Sequence, residues 1–187
     1  MIKKKILIAT GGTGGHVFPA YSLANYLIKK NYRVQLTSDK RGLRFLKNSK
    51  NFSLINIPSS PFIKKNPKQF FLSIITIFYA ILKSFLFLTF NRPTIVFGMG
   101  GYSSFPVCIA AFFLKIKFVI YENNLIIGKA NKYLLPFTKK VFVSYQELEG
   151  IPEKYINKVV KIGNLVREEI INNRTSIYEK NQFDKLE

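Results

Sequence analysis

The sequence predicts an α/β fold, an open, doubly wound parallel sheet with helices on both faces. Three observations predict it. Seven short apolar runs rich in β-branched residues recur along the 187 residues, and stretches with helical spacing fill most of the gaps between them. Two clusters of glycine each follow one of these runs directly and precede a helical stretch. Strands alternating with helices imply right-handed crossovers and helices on both faces of the sheet. Ligands in such folds bind beyond the carboxyl ends of the strands, which is where both glycine clusters fall.

Taken in order, "KILIA" (5–9) reads as the first strand, the run from Thr10 to His16 as a loop, and "VFPAYSLANYL" as the helix after it. "RVQLT" (33–37) and "SLINI" (53–57) read as the next two strands. "QFFLSIITIFYAILKSFLFLTF" (69–90) is a long apolar helix, with Lys83 its only charge. "TIVFG" (94–98) is the fourth strand; it repeats the arrangement of strand, glycine loop and helix through Gly98, Gly100 and Gly101, with Ser103 and Ser104 placed to cap the helix. "KFVIY" (117–121), "KVFVS" (140–144) and "VVKIG" (159–163) complete the set. After Arg167 the chain turns polar and loses strand signals, as a helix followed by a tail or linker would.

The 69–90 segment has the roughly 20 apolar residues that a membrane span needs. Against spanning stand Lys83 well inside it, Ser73, Thr76 and Ser84 interrupting it, and strand-like segments on both sides that must share one sheet. A buried helix and a helix partly exposed to lipid remain.

Composition bounds the chemistry. At 48% hydrophobic residues the chain can fill the core of one domain. Lys and Arg total 29 against ten Asp and Glu, a formal charge of +19, which favours an anionic partner without choosing among nucleic acid, a phosphorylated substrate and an acidic membrane. One cysteine, Cys108, excludes an internal disulfide and a Cys-based zinc site and fits a reducing cytoplasm. The run "ILIA" is too short for the ~7–15-residue core of a signal peptide.

The first glycine loop suits a phosphate. Gly11, Gly12, Gly14 and Gly15 let backbone approach a ligand closely, and the following helix presents free N–H groups and the positive end of its dipole. A glycine-rich turn with no ligand is the bland alternative. The G-x-x-x-x-G-K-[ST] pattern is missing, and a G-x-G-x-x-G register starting at Gly12 meets Val17 where glycine is required. Asp39, after the second strand, can imitate the ribose-binding acid of a nicotinamide fold, so a dehydrogenase stays as a rival reading.

"GGTGGHVFPA", "GMGGYSSFP", "YENNLIIGKANK" and "GNLVR" occur in the order seen in the MurG family of peptidoglycan glycosyltransferases, which this chain resembles over roughly residues 3 to 170. The resemblance implies a Rossmann-like, doubly wound sheet forming the N-terminal half of a GT-B glycosyltransferase. Residues 1–167 would be the acceptor and membrane-binding domain, and 168–187 a helix and linker or tail toward a C-terminal donor domain beyond position 187. It implies transfer of N-acetylglucosamine from UDP-N-acetylglucosamine to lipid I, a polyprenyl-diphosphate-linked acceptor, to form lipid II with inversion. The expected setting is peripheral, on the anionic cytoplasmic face of the bacterial inner membrane. Nucleic acid is not an expected partner, and neither cofactor nor metal is expected.

By the same resemblance Thr13, Gly14 and Gly15 contact the sugar nucleotide, Asn124 its N-acetylglucosamine, and Arg167 the donor side, where a cation can offset charge on leaving uridine diphosphate. Gly100, Gly101 and Tyr102 belong to the second substrate loop. His16, the sole histidine, and Glu122 are the candidate bases, although a lone histidine is often structural and a carboxylate after a strand often caps or pairs. Phe71, Ile75, Phe78 and Leu82 follow helical spacing, and Lys64, Lys65 and Lys68 precede them, so a lipid-facing stripe adjoins an anion-attracting cluster. The chain departs from the family at Tyr121, Asn123 and Leu165, where histidine, glutamine and proline are usual. A non-catalytic lipid-acceptor-binding and membrane-docking subunit, needing a partner donor chain, is the second function.

Overall fold

The structure, a computed structural model, describes residues 4–46, 51–61 and 66–166. Its framework is one parallel sheet of seven strands: β1 (Lys5–Ala9), β2 (Arg33–Ser38), β3 (Ser53–Asn56), β4 (Ile95–Gly98), β5 (Phe118–Glu122), β6 (Val141–Val143) and β7 (Val159–Lys161). All seven expected strands are present to within a residue or two at each end. Their spatial order is β3-β2-β1-β4-β5-β6-β7. The chain therefore builds outward from β1 in one direction, returns, and builds outward from β4 in the other. The switch point lies between β1 and β4, which pair in parallel from Ile6 opposite Ile95 to Ala9 opposite Gly98.

The helices are α1 (Gly14–Lys29), α2 (Lys40–Leu43), α3 (Pro67–Asn91), α4 (Ser104–Phe113) and α5 (Lys129–Leu134). Alternation along β1 sends its side chains to two cores. Leu7 and Ala9 join Val107, Phe118 and Leu134 on one face, whereas Ile6 and Ile8 join Val17, Ala20 and Leu36 on the other. Burial of each valine, leucine, isoleucine or phenylalanine side chain among them stabilises the fold by about 1.5–3 kcal/mol. Both faces of the central strands are covered, which accounts for their nearly continuous apolar sequence.

Two local expectations change. The first helix begins at Gly14, so Gly14, Gly15 and His16 belong to its opening turn and only Thr10–Thr13 form the loop. Ser103 sits at the N-cap of α4 but does not cap it by its side chain. Its hydroxyl donates instead to the Thr10 carbonyl at 2.9 Å, and that of Ser104 donates to the Gly101 carbonyl at 3.0 Å.

Helix α3 is the crossover from β3 to β4, and the sheet holds both strands. Asn66 caps its start, its side chain accepting from the Lys68 N–H at 3.0 Å. One narrow stripe, Ser73, Ile77, Ala80, Ser84 and Leu88, is buried. Phe71, Ile75, Phe78 and Leu82 are exposed, together with Phe70, Leu72, Ile74, Tyr79, Leu86 and Phe90. The polar residues are pacified locally. Thr76, Ser84 and Thr89 each donate to the carbonyl four residues back, and Ser73 pairs with Ser60. By length and composition α3 can cross a membrane, but its two flanking strands lie in the same sheet.

Candidate functional site

The two glycine loops leave the sheet side by side at the switch point. The Met99 N–H donates to the Ala9 carbonyl at 2.8 Å, and the Ser103 hydroxyl reaches across to Thr10. Glycine is required at the contact itself. A Cβ on Gly101, whose φ is +74°, would lie 2.9 Å from the Gly11 carbonyl oxygen, and one on Gly100, at φ +84°, would lie 2.8 Å from the His16 ring. The second loop thus forms a flat bed for the imidazole.

His16 lines a pocket of about 170 Å³ with Gly101, Tyr102, Glu122, Asn124, Lys129 and Asn131. That is smaller than the ~300–1,000 Å³ of a typical small-molecule site. Burial, the largest influence, lowers the His16 pKa below 6.5; the Glu122 carboxylate and the Met99 carbonyl pull it upward without cancelling that effect. The ring is therefore neutral near pH 7, as a proton acceptor must be. Its Nδ1 is buried with no hydrogen-bond partner of good geometry.

Glu122 ends β5 at 1% exposure and is saturated by donors. It accepts from the Asn124 N–H at 3.1 Å and the Asn124 amide at 2.8 Å, and from the Gly128 N–H and the Asn131 amide at 2.9 Å each. Those bonds fold residues 123–128 over the strand end. The carboxylate positions Asn124 and Asn131 and bears electrostatically on His16. Asn131 and Lys129 were not singled out from the sequence. Asn131 is 1% exposed, and its remaining acceptor oxygen is buried without a partner. A signal existed: Asn131 stands within the same twelve-residue motif as Glu122.

Thr13, Gly14 and Gly15 lie at the start of α1, on the other side of a strut in which the Asn123 amide donates to the Gly15 carbonyl at 2.8 Å. Gly14 and Gly15 line a second cavity with Phe18, Tyr121, Asn123, Asn164 and Leu165. Thr13 accepts through its carbonyl from the His16 and Val17 N–H groups, and its hydroxyl makes no cap. The structure thus divides the expected residues between two neighbouring pockets. Arg167, Lys64 and Lys65, and the 168–187 segment, lie outside the described residues.

Two sequence departures acquire a physical reason. The Tyr121 hydroxyl pairs with that of Ser144 at 2.7 Å, donates to the Gly163 carbonyl at 3.2 Å and accepts from the Leu165 N–H at 3.2 Å. Tyrosine at 121 and a residue with an N–H at 165 therefore go together.

Asp39 does not offer itself to a ribose. Its carboxylate accepts from the Gly12 and Gly42 N–H groups at 2.9 Å, the Ser59 hydroxyl at 2.8 Å, and Arg41 through two nitrogens at 3.1 Å. Burial pushes its pKa up, but these donors together outweigh burial and hold the carboxyl below the ordinary value. The dehydrogenase reading loses its key residue, because Asp39 is the internal tie of the first glycine loop.

Comparison with known proteins agrees with this geometry. The model of the glycosyltransferase family 28 N-terminal domain matches residues 6–143. Two relatives carry the name UDP-N-acetylglucosamine--N-acetylmuramyl-(pentapeptide) pyrophosphoryl-undecaprenol N-acetylglucosamine transferase. The one from Rickettsia felis is 36% identical over 90% of this chain and 46% of its own length. The one from Pelagibacter ubique is 37% identical over 92% of this chain and 48% of its own. This chain thus spans about half the length of these relatives. The crystal structure of MurG from Acinetobacter baumannii superposes with a TM-score of 0.71 at 24% identity, over 86% of this chain and 46% of that one. The sheet is therefore the Rossmann-like, doubly wound N-terminal half of a GT-B glycosyltransferase. With the match running from the first strand to the sixth, the chain belongs to the glycosyltransferase family 28 N-terminal domain family.

Proposed function

We propose that this chain is the acceptor half of an inverting transferase that moves N-acetylglucosamine from UDP-N-acetylglucosamine to lipid I, forming lipid II for peptidoglycan. The observation that carries the reading is the half-buried, neutral His16 in a pocket with Tyr102, Glu122, Asn124 and Asn131, at the junction of two glycine loops. His16 accepts the proton of the acceptor's sugar hydroxyl as that oxygen bonds to the anomeric carbon. The bond from that carbon to uridine diphosphate breaks, and the leaving group departs with the electron pair. Glu122 holds Asn124 and Asn131 in place and favours the imidazolium as it forms. Thr13, Gly14 and Gly15 face the sugar nucleotide from the start of α1, with Arg167 on the donor side. Residues 1–167 act as the acceptor and membrane-binding domain, and 168–187 lead toward a donor domain supplied in cis or in trans. The exposed face of α3, with Lys68 at its start, rests on the anionic cytoplasmic face of the inner membrane.

The test is to join the chain to the C-terminal half of the Rickettsia felis relative and supply UDP-N-acetylglucosamine with lipid I in mixed vesicles. Transfer of labelled N-acetylglucosamine to lipid I is expected. A folded fusion that binds the sugar nucleotide and transfers nothing to lipid I would overturn the reading.

A further inference from the structure

Between α4 and α5 lies a groove of about 230 Å³ walled by Phe105, Ile109, Tyr133 and Phe137, with no polar surface in its lining. Its two helices also border the polar pocket. The loop before α4 contributes Gly101 and Tyr102 to that pocket, and the first residues of α5 contribute Lys129, Ala130 and Asn131. Lys129 and Tyr133 are separated by about 6 Å of helix rise. Pocket and groove are thus neighbours along the same two helices, polar at the strand ends and apolar farther along.

The apolar part continues outward. Phe112 packs on Phe137 with ring centroids 4.7 Å apart and on Phe113 at 5.7 Å. Phe113 is 65% exposed, and α4 packs in turn against α3, whose outer face is exposed phenylalanine, leucine and isoleucine. Apolar side chains therefore extend from the groove through Phe112 and Phe113 along α4, the helix that packs on α3. A peptide partner would explain the groove but not its nearness to a pocket lined by the exposed Lys129 and by Asn131, whose buried oxygen lacks a donor. An amphiphile with an anionic, hydroxyl-bearing head and a long apolar tail explains both, the lysine meeting the anion and a hydroxyl donating to Asn131.

We propose that this groove binds the first part of the isoprenoid chain of a lipid-linked diphosphate acceptor, with the diphosphate beside Lys129 and the sugar toward His16. The inference rests on the acceptor reading given above. An apolar cavity of ~150 Å³ holds one benzene-sized guest, so the groove suits about one or two isoprene units, with the remaining chain following Phe112 and Phe113 into the bilayer. Register follows from this. The groove sets how far the reacting sugar stands from the membrane, and a chain too short to fill it loses that anchor.

Farnesyl diphosphate, dimethylallyl diphosphate and inorganic diphosphate are titrated calorimetrically against the chain, alone and with phosphatidylglycerol micelles as competitor. Farnesyl diphosphate is expected to bind at least tenfold more tightly than inorganic diphosphate, with dimethylallyl diphosphate between them. Ile109→Trp, which fills the groove, should remove about tenfold of that preference and leave inorganic diphosphate affinity and vesicle flotation unchanged. Phe137→Ser, which opens a wall, is read in its place should Ile109→Trp lose its near-ultraviolet circular dichroism. No gain from the isoprenoid chain, a preference that survives both substitutions, or displacement of farnesyl diphosphate by the phospholipid would each overturn the groove. The acceptor reading stands or falls separately, on transfer by the joined enzyme.

Discussion

At the scale of single residues, the site depends on two titratable groups, half-buried His16 and buried Asp39, tuned in the same direction for different ends. His16 is kept neutral by burial, so in the joined enzyme the acid limb of kcat/KM should lie below the ordinary histidine value of 6.5. His16→Ala should lower kcat by about 10²–10⁴-fold, as expected for loss of a general base. A folded variant losing less than tenfold would return His16 to a packing role against Gly100. Asp39 is structural. Its folded pKa lies below the unfolded value near 3.8, so its contribution to stability is complete above that value and is lost as pH falls through the folded pKa. Asp39→Asn keeps the shape but leaves Arg41 and Ser59 without their acceptor charge. A loss of about 1–3 kcal/mol in urea unfolding at pH 7 is expected, with a smaller fall in stability on acidification. An unchanged urea midpoint would contradict the tie between Asp39 and the first glycine loop.

Elements show how one helix serves both a sheet and a surface. α3 buries only the stripe from Ser73 to Leu88 and exposes Phe71, Ile75, Phe78 and Leu82. Because β3 and β4 share one sheet, with only β2 and β1 between them, a helix crossing the bilayer would put parts of that one sheet on opposite sides. The chain should float with anionic vesicles and be released by high salt, which shortens the Debye length to about 3 Å at 1 M. Phe78→Glu should weaken flotation tenfold or more, since a phenylalanine moved out of water contributes about 1.5–3 kcal/mol. Cysteines placed singly at Asn66 and Asn91 provide the topology test, the native Cys108 being buried. Labelling from opposite sides of a sealed vesicle after an alkaline wash would show a spanning helix and end the surface reading.

At the scale of the whole molecule, two cavities open beside the glycine loops. The pocket at His16 is about 170 Å³, and the second cavity at Gly14 and Gly15 opens beside Asn164 and Leu165. If, as proposed, donor and acceptor meet between these surfaces and a second domain, the chain by itself should turn over UDP-N-acetylglucosamine and lipid I far below ~1 s⁻¹. Adding the donor half of a relative should restore transfer. Turnover near that rate from the purified chain alone would show that the described surfaces already complete the site.

The sequence by itself determined the seven strands, the doubly wound class and the glycine loops, because short apolar runs rich in β-branched residues and glycine punctuation are local signals. It also singled out the exposed face of α3, since helical spacing separates Phe71, Ile75, Phe78 and Leu82 from the buried stripe. What Asp39, Glu122 and Tyr121 do was decided only in the folded chain. Each owes its role to partners brought in by other elements: Gly12 and Ser59 for Asp39, Asn131 for Glu122, and Ser144 and Leu165 for Tyr121. The same holds for the division of His16 from Gly14 and Gly15 into adjacent pockets, and for the apolar groove joined to the first of them. Hydrogen bonds between residues nine to 44 positions apart leave no periodic trace in a single sequence. They exist because a parallel sheet brings the ends of β1, β2, β4 and β5 to one edge, and the side chains there are sorted by distance in space rather than along the chain.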